Sequence, residues 1–98
     1  VTMVFEWDAT KDAANVAKHG LSFEDASRVF EGDVVSAPDH RHDYGEPRIN
    51  SIGRIDGVFV IVVTHTDRSG RTRIISARPA KRQERQRYAE ALRKKTQS

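Results

Sequence analysis

The chain has 98 residues, of which 37% are hydrophobic and 32% are charged, and it contains no cysteine. This length predicts one domain over residues 1–98 with a thin apolar core, and the lack of cysteine excludes disulfides, thiolate metal sites and redox chemistry at sulfur. The longest apolar stretch, residues 58–63, is too short to cross a membrane, so we expect a cytoplasmic protein with no membrane partner.

The net charge of +3 hides a strong asymmetry along the chain. Residues 1–40 contain 3 Lys and Arg against 8 Asp and Glu, whereas residues 41–98 contain 14 against 6. A basic half attracts polyanions because its phosphate contacts release counterions. Nucleic acid is therefore the expected partner of the second half, although a merely solvated arginine-rich surface would have the same composition.

The first segments predict a strand followed by a helix. Residues 4–7 are short, apolar and β-prone, and Asp8 is a good N-cap for a helix over residues 9–19. Gly20 is suited to the left-handed position that ends such a helix.

A second helix and an edge strand are expected next. Ser22 is a good N-cap, and the helix has one apolar stripe, which consists of Phe23, Ala26, Val29 and Phe30. Gly32 and Asp33 break this helix, and residues 34–37 can form a short strand that ends at Pro38. We expect that strand to lie at a sheet edge.

The second half predicts three strands and a final helix. Asp56-Gly57 is a strong hairpin signal between strands over residues 48–55 and 58–66, and the second of these is apolar on both faces, as a central strand is. A third strand covers residues 71–77, and a helix begins near Pro79. The predicted class is α+β: an antiparallel sheet with two N-terminal helices on one face and a C-terminal helix, in the order β-α-α-β-β-β-β-α.

A two-residue loop at Asp56-Gly57 would bring Arg48, Arg54 and His65 to one sheet face. In that register the cross-strand pairs are Arg54 with Phe59, Ile52 with Ile61, Asn50 with Val63 and Arg48 with His65. A four-residue loop over 67–70 would extend the same face to Arg78. The opposite, smoother face would then receive the first two helices; it carries Ile49, Ser51, Gly53, Ile55, Val58, Val60, Val62, Ile75 and Ala77.

The final helix has one stripe that is expected to face the sheet. Tyr88 and Leu92 are predicted to pack there, while Arg82 and Arg85 reach solvent or phosphate. Glu84 lies in the same stripe and, if it is buried, needs either water or a cationic partner, such as Arg54 or Arg78.

Several segments together resemble the sequence pattern of BrnT toxins. They are Phe5–Asp8, Lys11, Asn15, Lys18–Gly20, Ser22–Ala26, Val29–Phe30, Ile52–Gly53, Arg73–Arg78, Ala80, Glu84–Arg85 and Tyr88. The resemblance spans about residues 4–90, and residues 39–47 match nothing distinctive. It implies a RelE-like fold, a ribonuclease activity that arrests translation, and neutralisation by a BrnA-type antitoxin. Operator DNA would then be reached only through the antitoxin complex.

RNA can be cleaved without a cofactor when a base activates the 2′-hydroxyl, cations stabilise the phosphorane and an acid protonates the leaving oxygen. Arg54 and Arg78 are the candidates for phosphate binding, since guanidinium offers paired donors and stays charged; structural ion pairing with Glu84 is the competing interpretation. His65 and Tyr88 are the candidates for proton transfer, although a structural histidine and a packed tyrosine would explain them too.

Other basic residues are candidates for RNA contact: Arg48, Arg73, Arg82, Arg85, Lys18 and His19. For Lys18 and His19, favourable interaction with the helix dipole is a sufficient structural reason. We expect no metal or cofactor, because His40 and His42 lie in a polar loop with an intervening arginine and no further clustered ligands.

Two alternatives to a ribonuclease stay open at this point. The chain could be a non-catalytic module whose basic face binds nucleic acid or an acidic protein. It could also act chiefly in transcriptional self-regulation, with a partner protein that touches the DNA.

Overall fold

The computed structural model describes residues 3–40 and 45–97. Its elements are β1 (Val4–Trp7), α1 (Ala9–His19), α2 (Phe23–Ser27), a 3₁₀ helix (Arg28–Glu31), β2 (Val35–Pro38), β3 (Ile49–Ile55), β4 (Phe59–Arg68), β5 (Arg71–Pro79) and α3 (Arg82–Gln97). This order confirms the predicted succession of strands and helices. Within the described residues, no helix is long and apolar enough to cross a membrane.

The five strands form one sheet in the order β1-β5-β4-β3-β2. β4 is central and β2 is an edge strand, as predicted. β1, however, pairs parallel with β5, with Val4 opposite Arg71, so the sheet is mixed and the expectation of an antiparallel sheet is wrong. Short turns require antiparallel pairing between strands that follow one another in the chain. β1 and β5 are separated by most of the sequence, so no short turn fixes their relative direction and they can pair parallel.

Local hydrogen bonds explain where the first two helices begin and where the first one ends. The Asp8 carboxylate accepts from the backbone N–H of Thr10 at 2.8 Å, and Ser22 Oγ accepts from that of Asp25 at 3.0 Å. Gly20 has φ 67°, and its N–H donates to the Val16 carbonyl. These three features confirm the predicted caps.

The β3–β4 hairpin turns at Asp56 and Gly57 as predicted, but its loop has three residues, 56–58, rather than two. Asp56 and Gly57 have φ 55° and 68°, as the signal requires. Beyond the turn, Ile55 pairs with Phe59, so Arg54 lies opposite Val60 and His65 lies opposite Ile49. Because side chains alternate between faces, this shift of one residue moves every β4 side chain to the other face. The prediction that Arg54 and His65 share a face is wrong.

The β4–β5 hairpin also departs from its predicted geometry. Arg68 pairs with Arg71, so the loop has two residues rather than four, with Ser69 and Gly70 at φ 50° and 78°. A bulge at Thr64/His65 then shifts the register. Ile74 and Ala77, three residues apart, consequently both point into the core, at 1% and 0% exposure.

One face of the sheet, called here the helix face, packs against α1, α2 and the 3₁₀ helix. The buried core there consists of Phe23, Ala26, Val29, Ile55, Ile61, Val63, Ile74 and Ala77. The predicted membership of this face is confirmed for Ala77 and for the β3 residues Ile49, Ser51, Gly53 and Ile55. It is wrong for Val60, Val62 and Ile75, because the hairpin and bulge shifts place neighbouring residues on this face instead, and Val58 lies in the turn.

Gly53 lies on the helix face directly beneath the 3₁₀ helix. A Cβ there would lie 2.7 Å from Val29 Cβ and 3.1 Å from Val34 Cγ1. Because Val29 is fully buried, it has little room to move away from an added methyl group. We therefore expect Gly53→Ala to lower the free energy of unfolding by about 1–3 kcal/mol.

Gly32→Ala is the matched control in urea denaturation. Gly32 has φ −119° and nothing within 4 Å of an added Cβ, so its unfolding midpoint should stay near wild type or rise slightly. Equal midpoints for the two variants would show that the close approach at Gly53 does not limit stability.

Candidate functional site

The sheet face opposite the helix face carries Arg54 on β3 and Arg73 and Arg78 on β5, and is called here the arginine face. Arg54 pairs across to Val60 and Arg78 to Val62, so these two arginines lie on either side of the central strand. Val62 between them is only 3% exposed. The two arginines therefore lie on either side of an apolar floor at Val62, with Arg54 exposed and the Arg78 side chain 31% exposed.

Arg78 is engaged by the first turn of α3. Its Nη1 and Nη2 donate to Oε1 and Oε2 of Glu84 at 2.7 and 2.8 Å, and the Lys81 backbone N–H also donates to Oε1 at 2.8 Å. The Arg78 hydrogen bonds, helped by Lys81, lower the pKa of Glu84 to about 2. The expected cationic partner of Glu84 is thereby identified as Arg78.

Arg54 is placed over an aromatic ring. Its guanidinium carbon lies 5.7 Å from the centroid of Tyr88, which is 3% exposed, and Arg54 itself is exposed. Because Arg54 is exposed, its guanidinium N–H groups remain accessible to a phosphate. Tyr88 Oη donates to the Asp33 carbonyl at 2.7 Å, so the geometry favours packing and anchoring over proton transfer for Tyr88.

His65 lies on the helix face, on the far side of the sheet from Arg54 and Arg78. It is 4% exposed, its Nε2 is 2.8 Å from Ser51 Oγ, and its Nδ1 is 3.1 Å from Asp67 Oδ1. The ring of Phe30 packs edge-on against it. His65 is a hydrogen-bonded core residue in this structure, and we do not retain it in the candidate site.

The sequence contains only a partial signal for the hydrogen bonds around His65, and these bonds were not predicted. His65 and Asp67 are two residues apart on a strand, so their side chains share a face. The third member, Ser51, depends on the register between β3 and β4, which the turn alone did not settle. Ser36 Oγ extends the chain at 2.7 Å from Ser51 Oγ.

The other predicted RNA contacts are spread over the surface. Arg73 lies on the arginine face and pairs with Glu6 at 3.3 Å, and Arg82 is exposed at the start of α3. Arg48 precedes β3 and is half-buried, and its carbonyl accepts from the Asp39 N–H. Exposed Lys18 is in the last turn of α1, on the other side of the sheet from Arg54 and Arg78.

His19 and Arg85 meet at a cleft that the sequence did not predict. The cleft has a volume of about 550 Å³ and lies among the α1–α2 turn, the tip of the β3–β4 hairpin and the start of α3. Phe59, 66% exposed, also lines it. Both signs of charge are present, because the Arg28–Asp56 ion pair is part of the lining.

Among residues 3–40 and 45–97, no group of three or more His, Cys, Asp or Glu side chains could hold a metal ion. His42 of the polar loop lies outside the described residues.

The Glu84–Arg78 pair predicts a pH dependence of stability. A carboxyl with a lowered folded-state pKa stabilises the fold above its unfolded pKa and loses that contribution as the pH falls toward about 2. We expect Glu84→Gln to cost about 1 kcal/mol of unfolding free energy at neutral pH, since the pair is partly screened by solvent. Urea denaturation of both proteins should show this difference shrinking between pH 5 and pH 2. A constant difference over that range would contradict the assignment.

A protein-family model described as the ribonuclease toxin BrnT of type II toxin–antitoxin systems matches residues 7–84. The chain belongs to the BrnT family. A crystal structure of the Brucella abortus ribonuclease toxin BrnT superposes with a TM-score of 0.67 and 30% sequence identity, covering 83% of this chain and all of that one. A search of curated proteins gives no match.

Membership of the BrnT family identifies the chain with ribonuclease toxins of type II toxin–antitoxin systems, and so implies an RNA substrate and an antitoxin partner. Three residues of the candidate site, Arg54, Arg78 and Glu84, lie within the matched segment. The rest of α3, including Tyr88, lies beyond it.

Proposed function

We propose that this BrnT-family chain is an endoribonuclease that cleaves RNA without a metal ion and thereby arrests translation. The observation that carries the proposal is the pair Arg54 and Arg78, held on either side of the central strand over an apolar floor. In a family of ribonuclease toxins, this is the place on the described structure best suited to a phosphodiester.

The proposed reaction is attack of a 2′-hydroxyl oxygen on the adjacent phosphorus. A new P–O bond forms, the bond to the 5′-oxygen breaks, the 2′-oxygen loses its proton and the 5′-oxygen gains one. The products carry a 2′,3′-cyclic phosphate and a 5′-hydroxyl. Arg54 and Arg78 would stabilise the negative charge that builds up on the phosphorane oxygens.

We assign the proton transfers to water rather than to His65 or Tyr88. His65 is buried on the opposite face, and the Tyr88 hydroxyl donates to a backbone carbonyl. Glu84, with a pKa of about 2, is too weak a base to contribute much near neutral pH. The arginines would then act by positioning and charge alone.

A BrnA-type antitoxin is the proposed inhibitor, and operator DNA would be reached only through the complex of the two proteins. The support is the family's description as the toxin of a type II system and the exposed position of Arg54, which a bound protein could cover. The RelE-like classification of the fold stays a prediction.

Incubation of the purified protein with RNA in EDTA tests the proposal. We expect cleavage products with 2′,3′-cyclic phosphate ends, and no cleavage of a 2′-O-methyl RNA of the same sequence. Intact RNA with retained binding would support the non-catalytic module instead. Cleavage that appears only after Mg²⁺ is added would contradict metal independence.

A further inference from the structure

We propose that α3 regulates the arginine face by intramolecular competition, with the Glu84 carboxylate occupying the position on Arg78 that an RNA phosphate would take. The inference rests on the proposed function, because it concerns how RNA gains access to the same two arginines. It treats Glu84 as a ligand of the site rather than as a part of its catalytic machinery.

The geometry of the Arg78–Glu84 pair is that of a bound oxyanion. A carboxylate and a phosphate both present two oxygens to the fork of a guanidinium. Glu84 uses both of its oxygens in this way, at 2.7 and 2.8 Å, and also accepts from the Lys81 N–H, as a phosphate oxygen could. RNA and Glu84 therefore compete for the same donors.

Arg54 provides an internal contrast on the same face. Its guanidinium carbon lies 5.7 Å from the centroid of the Tyr88 ring and the residue is exposed, so its N–H groups can reach a phosphate while Glu84 stays on Arg78. Of the two candidate phosphate ligands, Arg54 is open and Arg78 carries an anion. Full engagement of a phosphodiester by both arginines requires Glu84 to leave.

The helix that carries Glu84 is mostly exposed to solvent. Among the side chains of α3 described in the structure, Tyr88 alone is buried. Two further attachments meet at one residue: Tyr88 Oη donates to the Asp33 carbonyl at 2.7 Å, and Lys95 Nζ pairs with the Asp33 carboxylate at 2.8 Å. The Arg78–Glu84 pair itself is partly open to solvent, with side chains 31% and 21% exposed, so separating Glu84 from Arg78 should cost little free energy.

Binding of a 2′-O-methyl oligoribonucleotide, which cannot be cleaved through a 2′-hydroxyl, tests the competition. We expect Glu84→Gln to bind the oligonucleotide about 5- to 10-fold more tightly by fluorescence anisotropy. The slope of log K against log salt should steepen by about 0.7, the value for one more phosphate contact to a single strand. Glu90→Gln, an equal charge change on the exposed side of the same helix, should leave the slope unchanged.

Three outcomes would overturn the inference. The first is weaker or unchanged binding by Glu84→Gln, which would make Glu84 a residue that holds Arg78 in place. The second is an equal effect of Glu84→Gln and Glu90→Gln, which would reflect overall charge. The third is no binding of the oligonucleotide by any variant at low salt. If circular dichroism shows that Glu84→Gln is unfolded, Lys95→Ala replaces it. This variant should bind more tightly than its neighbour Lys94→Ala, and equal affinities would overturn the inference.

The binding assay and the cleavage assay fail independently. Tighter binding by Glu84→Gln together with intact RNA in EDTA would support the competition and reject the ribonuclease mechanism. Cleavage in EDTA without tighter binding would leave the mechanism standing and reject the competition.

Discussion

Arg78→Ala is expected to abolish growth inhibition when the protein is expressed, and to slow RNA cleavage in vitro by about 100- to 1,000-fold. Arg78 supplies two parallel N–H donors beside the apolar floor, as its bidentate hydrogen bonds to the Glu84 carboxylate show. Removing such a donor takes away charge stabilisation where water cannot replace it fully. Wild-type toxicity in this variant would remove Arg78 from the site.

Two controls make the Arg78→Ala result specific. Arg87→Ala removes the same charge from an exposed position of α3 and should remain toxic, while circular dichroism should show the native fold for both proteins. The double variant Arg78→Ala/Glu84→Gln should be as inactive as the single one. Recovered activity in the double variant would mean that the unpaired Glu84 carboxylate, rather than the loss of Arg78, had repelled the RNA.

Phe23→Ala is expected to give the largest loss of stability, about 3–5 kcal/mol of unfolding free energy. Phe23 is completely buried at the centre of the helix-face core, and its ring packs edge-on against Trp7 at 6.3 Å between centroids. Native domains have only about 5–15 kcal/mol of stability in total. The variant should therefore unfold at much lower urea concentration, or be partly unfolded without urea.

Phe59→Ala is the matched control for Phe23→Ala. The same atoms are removed, but Phe59 is 66% exposed at the hairpin tip, so its unfolding free energy should stay within about 0.5 kcal/mol of wild type. Urea titrations followed by circular dichroism compare the two directly. Similar midpoints for both variants would contradict the assignment of Phe23 to the core.

Features that depend on residues close together in the chain could be predicted from the sequence. The caps at Asp8 and Ser22 and the left-handed Gly20 need only a few neighbouring groups to form their hydrogen bonds. The Asp56-Gly57 turn is of the same kind. The apolar pattern of β4 placed it correctly at the centre of the sheet.

The faces of the sheet could not be predicted in the same way. One additional loop residue leaves the positive-φ turn at Asp56-Gly57 in place, yet it reverses every side chain of the strand that follows. The packing of Val29 against Gly53 is an example of a contact between distant segments that only one register allows. His65 is consequently buried on the helix face, although the predicted register placed it with the arginines as a candidate for proton transfer.

The sequence by itself determined the order of the elements, the acidic and basic halves of the chain and the resemblance to BrnT toxins, and it named Arg54 and Arg78 as possible partners of Glu84. Tertiary structure alone decided the parallel pairing of β1, the separation of His65 from the arginines and the choice of Arg78 rather than Arg54 as the partner of Glu84. The physical reason is the range of the interactions involved. Turns, caps and charge are properties of neighbouring residues, whereas register and partner choice are settled by the packing of segments that are far apart in the chain.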